Sequence, residues 1–189
     1  FPTPLGRQPS DYLKYAMDPQ KVGKVEKVIV ASVHNGKEIF FRLSWEDSSI
    51  DDKPTPDHPF VDACGIIIPF KEDAPHTVMV TMGSEAYRVN VWYWRADEIE
   101  KPRNVWAKGL GTTTTSKKSE LFSKAIHTGD KWYVVIGRKM EVPEEDSETV
   151  QLRPGVKRLV SFAVWDGSNR ERAGVKAFCP CETWLIIEK

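Results

Sequence analysis

The stretch VEKVIVASVHNGKEIFFRLSW, residues 25–45, predicts a β-hairpin. Its two halves are rich in valine, isoleucine and phenylalanine, and the segment His34-Asn35-Gly36-Lys37 separates them. Asn-Gly favours the tight turns of hairpins because both residues adopt positive φ at little cost. We therefore expect two antiparallel strands here, and with them a mainly β fold.

Short β-rich segments recur along the rest of the chain, separated by proline, glycine and aspartate. Only two helices are expected, one from Ser10 to about Met17 and one of two turns over 119–126, and residues 101–118 are predicted to form a long loop. Many short strands at this spacing are typical of an antiparallel sandwich or barrel. The remaining strand candidates are 64–68, 76–82, 88–95, 132–138, 156–165, 174–179 and 183–188.

The fold prediction is an all-β antiparallel sandwich with few short helices and long loops. Residues 1–24, rich in proline and charge, are expected to form an N-terminal arm, and residues 25–189 a single domain. We find no internal repeat and no linker. A length of 189 residues suits one well-cored domain.

The composition excludes several classes of function. Lys plus Arg and Asp plus Glu both total 27, so no overall charge points to nucleic acid or to an anionic membrane surface. No apolar run approaches the roughly 20 residues of a spanning helix, so we expect no membrane span. A start at Phe1 fits a processed chain.

Three cysteines, at positions 64, 179 and 181, are too few for a disulfide framework and wrongly spaced for a zinc ribbon. Two interpretations stay open. All three are free thiols in the core, or Cys64 forms a long-range bridge to one of the later pair in an oxidising compartment. A bridge between Cys179 and Cys181 would be strained by their proximity.

No catalytic motif stands out. The chain has no G-x-S-x-G elbow, no P-loop and no G-x-G-x-x-G between a strand and a helix. Its four histidines are scattered, and its many carboxylates fall mostly in loops, so no acid–base pair can be singled out. We therefore expect a protein that is not itself an enzyme.

The segment SFAVWDGSNRERAGVKAF, residues 161–178, places a lysine in an otherwise apolar strand. Lysine is almost never fully buried without a partner, and a buried amine either loses its proton or finds one. Lys176 is therefore either a metal ligand or an edge-strand lysine whose amine reaches solvent.

Seven tryptophans are the second unusual feature, with Trp92 and Trp94 in the run VNVWYWRAD. Asn90, Trp92 and Trp94 share one face of the predicted strand. They form either part of a sandwich core or an aromatic platform for a sugar, a base or a tetrapyrrole.

Three segments together resemble one family: TMGSEAYRVNVWYWRAD (81–97), KWYVVIGR (131–138) and VSFAVWDGSNRERAGVKAFCP (160–180). The chain is similar to the haem b-binding gamma subunits of type II dimethyl-sulfoxide-reductase molybdoenzymes. These include ethylbenzene and dimethylsulfide dehydrogenases, selenate and chlorate reductases, and nitrite oxidoreductases. HNGKEIFFRLSWED (34–47) agrees with the F-R-L-x-W-x-D pattern of that family, and the resemblance covers about residues 25–187.

The resemblance implies a non-covalent haem b at one edge of the sandwich, with a methionine and a lysine as axial ligands. The family's methionine falls on Met82, and Met79 competes for the same role. The lysine after W-D-G-x-x-x-E-R-x-G-x-K falls on Lys176. Haem propionates usually meet arginine or similar donors. The candidate cofactor contacts are Asn90, Trp92, Arg88, Arg170 and Arg172.

The implied function is that of a b-type cytochrome subunit without catalysis of its own. It would relay single electrons between an iron–sulfur beta subunit, next to a molybdopterin alpha subunit, and a soluble cytochrome or other redox partner. The implied location is periplasmic or otherwise extracytoplasmic. The alternatives are a carbohydrate-binding module that stacks sugars on Trp92, Trp94 and Trp106, and an assembly subunit that has lost its haem.

Overall fold

A computed structural model of the chain describes residues 22–143, 147–180 and 182–189. The predicted helix at Ser10–Met17 and nearly all of the predicted arm lie outside these residues. The described part is an antiparallel β-sandwich with one short α-helix, which confirms the predicted fold class.

The sandwich contains eleven strands in two sheets among the described residues. The first sheet has the order β1-β2-β8-β7, and the second has the order β10-β9-β3-β4-β5-β6 with β11 also paired to β9. The strands are β1 (Val28–His34), β2 (Glu38–Glu46), β3 (Ala63–Pro69), β4 (Val89–Arg95), β5 (Arg103–Ala107), β6 (Thr114–Thr115), β7 (Phe122–His127), β8 (Lys131–Lys139), β9 (Lys157–Trp165), β10 (Ala177–Phe178) and β11 (Thr183–Ile186).

The hairpin predicted from residues 25–45 is confirmed as β1 and β2, in the register Val28↔Trp45 to His34↔Ile39. Gly36 at the turn has φ +85, which glycine adopts without strain. Asn35 Oδ1 accepts hydrogen bonds from the backbone N–H groups of Lys37 and Glu38. The turn signal in the sequence therefore acts as expected, through glycine φ and an asparagine side-chain bond.

Aromatic rings fill the space between the two sheets. The Phe41 ring from the first sheet meets the Trp92 ring from the second edge-on, with centroids 5.7 Å apart. The rings of Trp45 and Trp132 pack against Trp94, with centroids 6.4 and 5.2 Å from it. Each such ring buries a large apolar area, so these contacts carry much of the hydrophobic stabilisation of the sandwich.

The other, outer face of the second sheet is also covered. Helix α1 (Thr77–Thr81) packs there, and buries Val78 and Met79 against a cluster that includes Val91 and Val105. Burial of each such side chain contributes about 1.5–3 kcal/mol. The second sheet is therefore buried on both faces in this region.

Three local predictions were wrong, all because tertiary contacts override local propensity. Residues 76–82 form α1 rather than a strand, since the helix buries Val78 and Met79 on the outer face. Residues 119–126 form most of the edge strand β7 rather than a helix, because they pair with β8. The predicted loop 101–118 contains β5, whose Val105 pairs with Val91 of β4.

Gly137 in β8 offers a test of the packing on the outer face of the first sheet. A Cβ at this position would lie 2.7 Å from Phe40 Cδ1 and 2.9 Å from the Ile39 carbonyl oxygen. We expect Gly137→Ala to lower the free energy of unfolding by about 1–3 kcal/mol in urea denaturation. Gly65→Ala is the matched control, since its Cβ would meet its nearest neighbour at an ordinary 3.4 Å. Equal effects of the two substitutions would contradict this account.

Candidate functional site

Lys176 lies immediately before β10, on the outer face of the second sheet, and its side chain is buried, with 3% exposure. Its Nζ is 5.2 Å from the centroid of the Trp165 ring and donates a hydrogen bond of 3.3 Å to the Ala173 carbonyl. Trp165 is itself buried and held by a bond from Nε1 to the same carbonyl. The lysine that looked anomalous in the sequence is therefore buried against an aromatic ring.

Burial alone lowers the pKa of the Lys176 amine to about 8. An ammonium in this apolar site loses much of its hydration, so less free energy is needed to remove its proton than in water. A neutral amine carries the lone pair that a metal ligand needs. Deprotonation of Lys176, which any role as a nitrogen donor would require, is therefore easier than for an exposed lysine.

Met82 ends helix α1 in a left-handed conformation, with φ 58. The next residue, Gly83, has φ +90, and a Cβ there would lie 2.8 Å from the Ala107 carbonyl oxygen. Only glycine allows this close approach of two backbone segments. The Met-Gly pair thus fixes a tight turn that leaves the Met82 side chain half-buried, whereas Met79 is buried under the helix.

The structure brings Met82 and Lys176 to the same face of the second sheet. Tyr93 of β4 connects their surroundings, because it packs against the apolar cluster that Met82 contacts and also against the cluster around Trp165. The Tyr93 and Trp165 rings meet edge-on, with centroids 5.3 Å apart. Val80 of α1 packs against the same Trp165 cluster. The surroundings of the two candidate ligands therefore share Tyr93.

Two of the predicted cofactor contacts lie elsewhere. Trp92 is fully buried between the sheets, and Asn90 beside it bonds to the Asn104 side chain and the Val105 carbonyl. Strand alternation places both side chains on the opposite face of β4 from Tyr93. The structure gives them a role in the core, and does not bring them to Met82 and Lys176.

Of the three predicted arginines, one lies apart from Lys176 and two lie in the loop that precedes it. Arg88 lies over the Phe70 and Trp106 rings and donates to the Ser147 carbonyl, apart from the Lys176 surroundings. Arg170 and Arg172 lie in the loop between β9 and β10 that leads to Lys176. Arg170 is exposed, and the half-buried Arg172 stacks on Phe60.

The cysteines follow neither interpretation in full. Cys64 is a free, buried thiol in the inter-sheet core, so the expected long-range bridge from Cys64 is wrong. Cys179 is disulfide-bonded, so the chain does not hold three free thiols either. Cys181 lies outside the described residues.

A second group of functional side chains was missed from the sequence. Asp47, Asp62 and Asp166 are all buried, and one carboxylate oxygen from each lies within 4.8 Å of the others. They follow β2, precede β3 and follow β9, so only the folded sheets bring them together. The one available signal was that Asp47 and Asp166 each stand directly after a β-rich run that contains a tryptophan.

Taken together, these features define a class of protein: a β-sandwich with a buried lysine and a methionine-ended helix on the outer face of one sheet. The chain belongs to the ethylbenzene dehydrogenase family, whose model matches residues 9–122 and 102–177.

Named relatives agree with this assignment. The chain is 34% identical to the chlorate reductase subunit gamma of Ideonella dechloratans over 161 residues, which cover 85% of this chain and 64% of that protein. It is 34% identical over 154 residues to a protein of Haloferax mediterranei named as a candidate heme subunit of a respiratory nitrate reductase, covering 81% and 53%. It is 27% identical to the dimethylsulfide dehydrogenase subunit gamma of Rhodovulum sulfidophilum, covering 80% and 57%. The chain spans between half and two-thirds of the length of these relatives.

A solved structure shares the fold. A crystal structure of a candidate carbohydrate-binding protein from Bacteroides uniformis superposes with a TM-score of 0.50 at 10% identity, covering 85% of this chain and 73% of that one. This likeness supports the sandwich architecture alone. In the described part of the chain, no helix has the length and apolar character needed to cross a membrane.

The buried amine makes a prediction about stability. In the haem-free protein at about pH 7, we expect Lys176→Met to raise the free energy of unfolding by roughly 3 kcal/mol, because burial moves the pKa of the amine from 10.5 to about 8 and one pKa unit corresponds to about 1.4 kcal/mol. The folded state binds fewer protons than the unfolded state between the folded pKa of about 8 and the ordinary value of 10.5. The stability of the parent protein therefore rises through this window, and its deficit relative to the variant shrinks.

Urea denaturation at about pH 7 and about pH 9.5 measures this effect. Lys157→Met is the matched control, because the exposed Lys157 places its Nζ 4.0 Å from the Trp184 ring centroid on the surface. The difference in the free energy of unfolding between the parent and Lys176→Met should shrink from about pH 7 to about pH 9.5. If it stays constant, or if Lys157→Met shows the same change, the Lys176 amine is not desolvated.

Proposed function

We propose that this chain is a haem b-binding electron-transfer subunit of a molybdenum oxidoreductase complex, with Met82 and Lys176 as the axial ligands of the iron. The family assignment supports the haem-subunit class, because relatives named as gamma or heme subunits of such oxidoreductases cover most of this chain. The ligand assignment rests on the buried Lys176 amine and on the Met82-Gly83 turn at the end of α1.

One observation carries the proposal: a buried lysine whose pKa is low lies on the same sheet face as a methionine fixed in a strained turn. Positive φ is uncommon for a residue other than glycine, and costs of order 1 kcal/mol or more. In Met82 it coincides with a Met-Gly pair that the family pattern predicts as a ligand position. Neither feature is needed to build a sandwich.

The donor set fits a haem iron. A thioether is a soft, neutral donor that favours the ferrous state, and a neutral amine adds a nitrogen donor. When bound, the haem would be held by Met82 and Lys176 and would supply one-electron redox chemistry. Such a site suits electron transfer rather than substrate chemistry, which agrees with a non-catalytic subunit.

The neighbouring residues would hold the donors in place. The Ala173 carbonyl and the Trp165 ring orient the Lys176 amine, and the Trp165 indole N–H fixes the same carbonyl. The contacts of Val80 with the Trp165 cluster tie α1, and with it Met82, to the lysine side of the site. These apolar contacts also keep water from the amine.

Arg170 and Arg172 are the predicted propionate partners that the fold leaves near the lysine loop, and we retain them in the proposal. Arg88, Asn90 and Trp92 are less suited, because their contacts belong to the opposite face or to another edge. We further propose an iron–sulfur beta subunit, a molybdopterin alpha subunit and a soluble cytochrome as redox partners, and a periplasmic or otherwise extracytoplasmic location.

The carbohydrate-binding alternative loses its physical basis. Trp92 and Trp94 are both fully buried, so neither ring can stack on a sugar. Trp106 is half-buried under the Arg88 guanidinium. The flat platform that motivated this alternative is therefore missing from the described residues.

Haem reconstitution followed by visible spectroscopy tests the proposal. We expect the reduced protein to show the resolved α and β bands of a low-spin, six-coordinate b haem. Lys176→Ala should remove this spectrum and weaken haem retention by roughly tenfold or more. Absence of a Soret band after reconstitution of the folded protein would refute the haem proposal.

Matched variants separate the ligands from their neighbours. Met82→Leu should lower the midpoint potential and convert part of the spectrum to high spin, because it replaces a sulfur donor with an apolar group of similar volume. Met79→Leu, three residues earlier and buried, should leave the spectrum unchanged, as should Lys157→Ala. A spectrum that responds to Met79 and not to Met82 would transfer the ligand assignment to Met79.

A further inference from the structure

The buried aspartates 47, 62 and 166, here called the aspartate cluster, lie where the ends of three strands meet. Their side chains line no part of the candidate haem site. All three are almost fully buried, with exposures of 4%, 0% and 1%. Burial of several carboxylates together is costly unless positive charge compensates them.

Among the residues that the structure describes, Lys24 supplies one compensating charge to the cluster. Lys24 Nζ lies 2.7 Å from Asp166 Oδ2, and the lysine side chain is half exposed. Three aspartates facing one ammonium would leave two negative charges without a counter-charge. Burial accordingly raises the pKa of Asp62 to about 7.

Hydrogen bonds satisfy most of the carboxylate oxygens, but not all. Asp62 accepts bonds from the Gly167 and Asp51 N–H groups and from the Trp132 indole. Asp47 Oδ1 accepts two bonds from Ser49. Asp47 Oδ2 is buried and has no hydrogen-bond partner among the residues that the structure describes.

Asp51 adds a second unsatisfied oxygen. Its N–H bonds to Asp62, so it lies beside the cluster, and its own Oδ2 is also buried without a partner in the described chain. Two buried carboxylate oxygens without donors, next to three clustered aspartates, are an arrangement that folded proteins rarely leave uncompensated.

The three aspartate oxygens are close enough together to bind one cation. Ca²⁺ binds oxygen at about 2.3–2.6 Å, so ligands on opposite sides of the ion lie about 4.6–5.2 Å apart. The three aspartate oxygens lie within 4.8 Å of one another and can all reach such an ion. Mg²⁺ requires near-ideal octahedral geometry and usually keeps several waters, so Ca²⁺, which accepts irregular sites built from protein oxygens, suits three buried carboxylates better.

We propose that the aspartate cluster is a Ca²⁺ site, formed by Asp47, Asp62 and Asp166 with Asp51 beside them. An open cavity of about 520 Å³ borders Asp47 and Asp166 and provides a path for the ion from solvent. Hard carboxylate oxygens without histidine or thiolate are the donors that Ca²⁺ prefers. This proposal does not depend on the haem.

The position of the site gives it a structural consequence. Asp166 begins the loop that ends at Lys176, and Glu171 in the middle of this loop accepts bonds from the Asp166, Gly23 and Lys24 N–H groups. An ion bound to Asp166 would therefore fix the first residue of the loop that presents the buried lysine. Ca²⁺ would tie together the ends of β2, β3 and β9.

Calorimetric titration of the haem-free, chelator-treated chain with CaCl₂ tests the proposal. We expect one ion per chain and a higher melting temperature in Ca²⁺ than in EDTA. Asp47→Asn and Asp62→Asn should each weaken binding by roughly tenfold or more, since each removes a charged ligand. Asp57→Asn, in an exposed loop, is the matched control and should leave binding unchanged.

Tb³⁺ luminescence provides a second measurement, because it reports whether the bound ion lies close to a tryptophan. Trp132 Nε1 lies 3.0 Å from Asp62 Oδ2, so an ion in the cluster should be sensitised by tryptophan excitation. The signal should saturate, decline on addition of Ca²⁺, and be reduced in Asp47→Asn. Circular dichroism confirms that each variant is folded, and Asp47→Asn remains informative if Asp62→Asn does not fold.

Lys24→Met separates an ion site from a simple ammonium–carboxylate cluster. If the cluster binds Ca²⁺, the variant should keep or strengthen binding, because the competing ammonium at Asp166 is gone. If Lys24 alone neutralises the cluster and no ion binds there, the variant should have a lower melting temperature, and Ca²⁺ should not restore it. That result, or the absence of saturable binding at millimolar Ca²⁺ in the folded parent chain, would overturn the proposal.

Discussion

Aromatic packing between the two sheets constrains every other feature of this protein. Trp45, Trp92, Trp94 and Trp132 are all buried there; the rings of Trp45, Trp94 and Trp132 contact one another, and Trp92 contacts Phe41 of the facing sheet. Because strand residues alternate between faces, fixing these rings inward also fixes which residues point outward. Tyr93 and Trp165 reach the outer face for this reason, and the candidate ligands gather around them.

The two faces of the second sheet thus pack against different parts of the molecule. Its inner face forms the common core, and its outer face carries helix α1, with Met82 at the helix end, and the buried Lys176. The positive φ of Met82 and the burial of the Lys176 amine each lower the free energy of unfolding. The sandwich tolerates them because the inter-sheet core, not the outer face, supplies most of the apolar burial.

The loop from Asp166 to Val175 links the two sites of the molecule. Asp166, at its start, belongs to the aspartate cluster. Val175, at its end, directly precedes Lys176 and forms an isolated β-bridge with Arg172. Trp165, immediately before the loop, packs against the Lys176 amine. The W-D-G motif therefore belongs to both surroundings, because its tryptophan packs against Lys176 and its aspartate is part of the aspartate cluster.

The sequence by itself determined the β class, the β1–β2 hairpin and the unusual environment of Lys176, because these depend on local patterns: an Asn-Gly turn, β-rich runs, and a charged residue in an apolar segment. Resemblance added Met82, which no local pattern distinguishes from Met79. Only the tertiary structure decided that 76–82 is a helix, that Asn90 and Trp92 face inward, and that three distant aspartates meet. Each of these depends on which strands become neighbours, and contacts between residues far apart in the chain leave no local signal that a single sequence reveals.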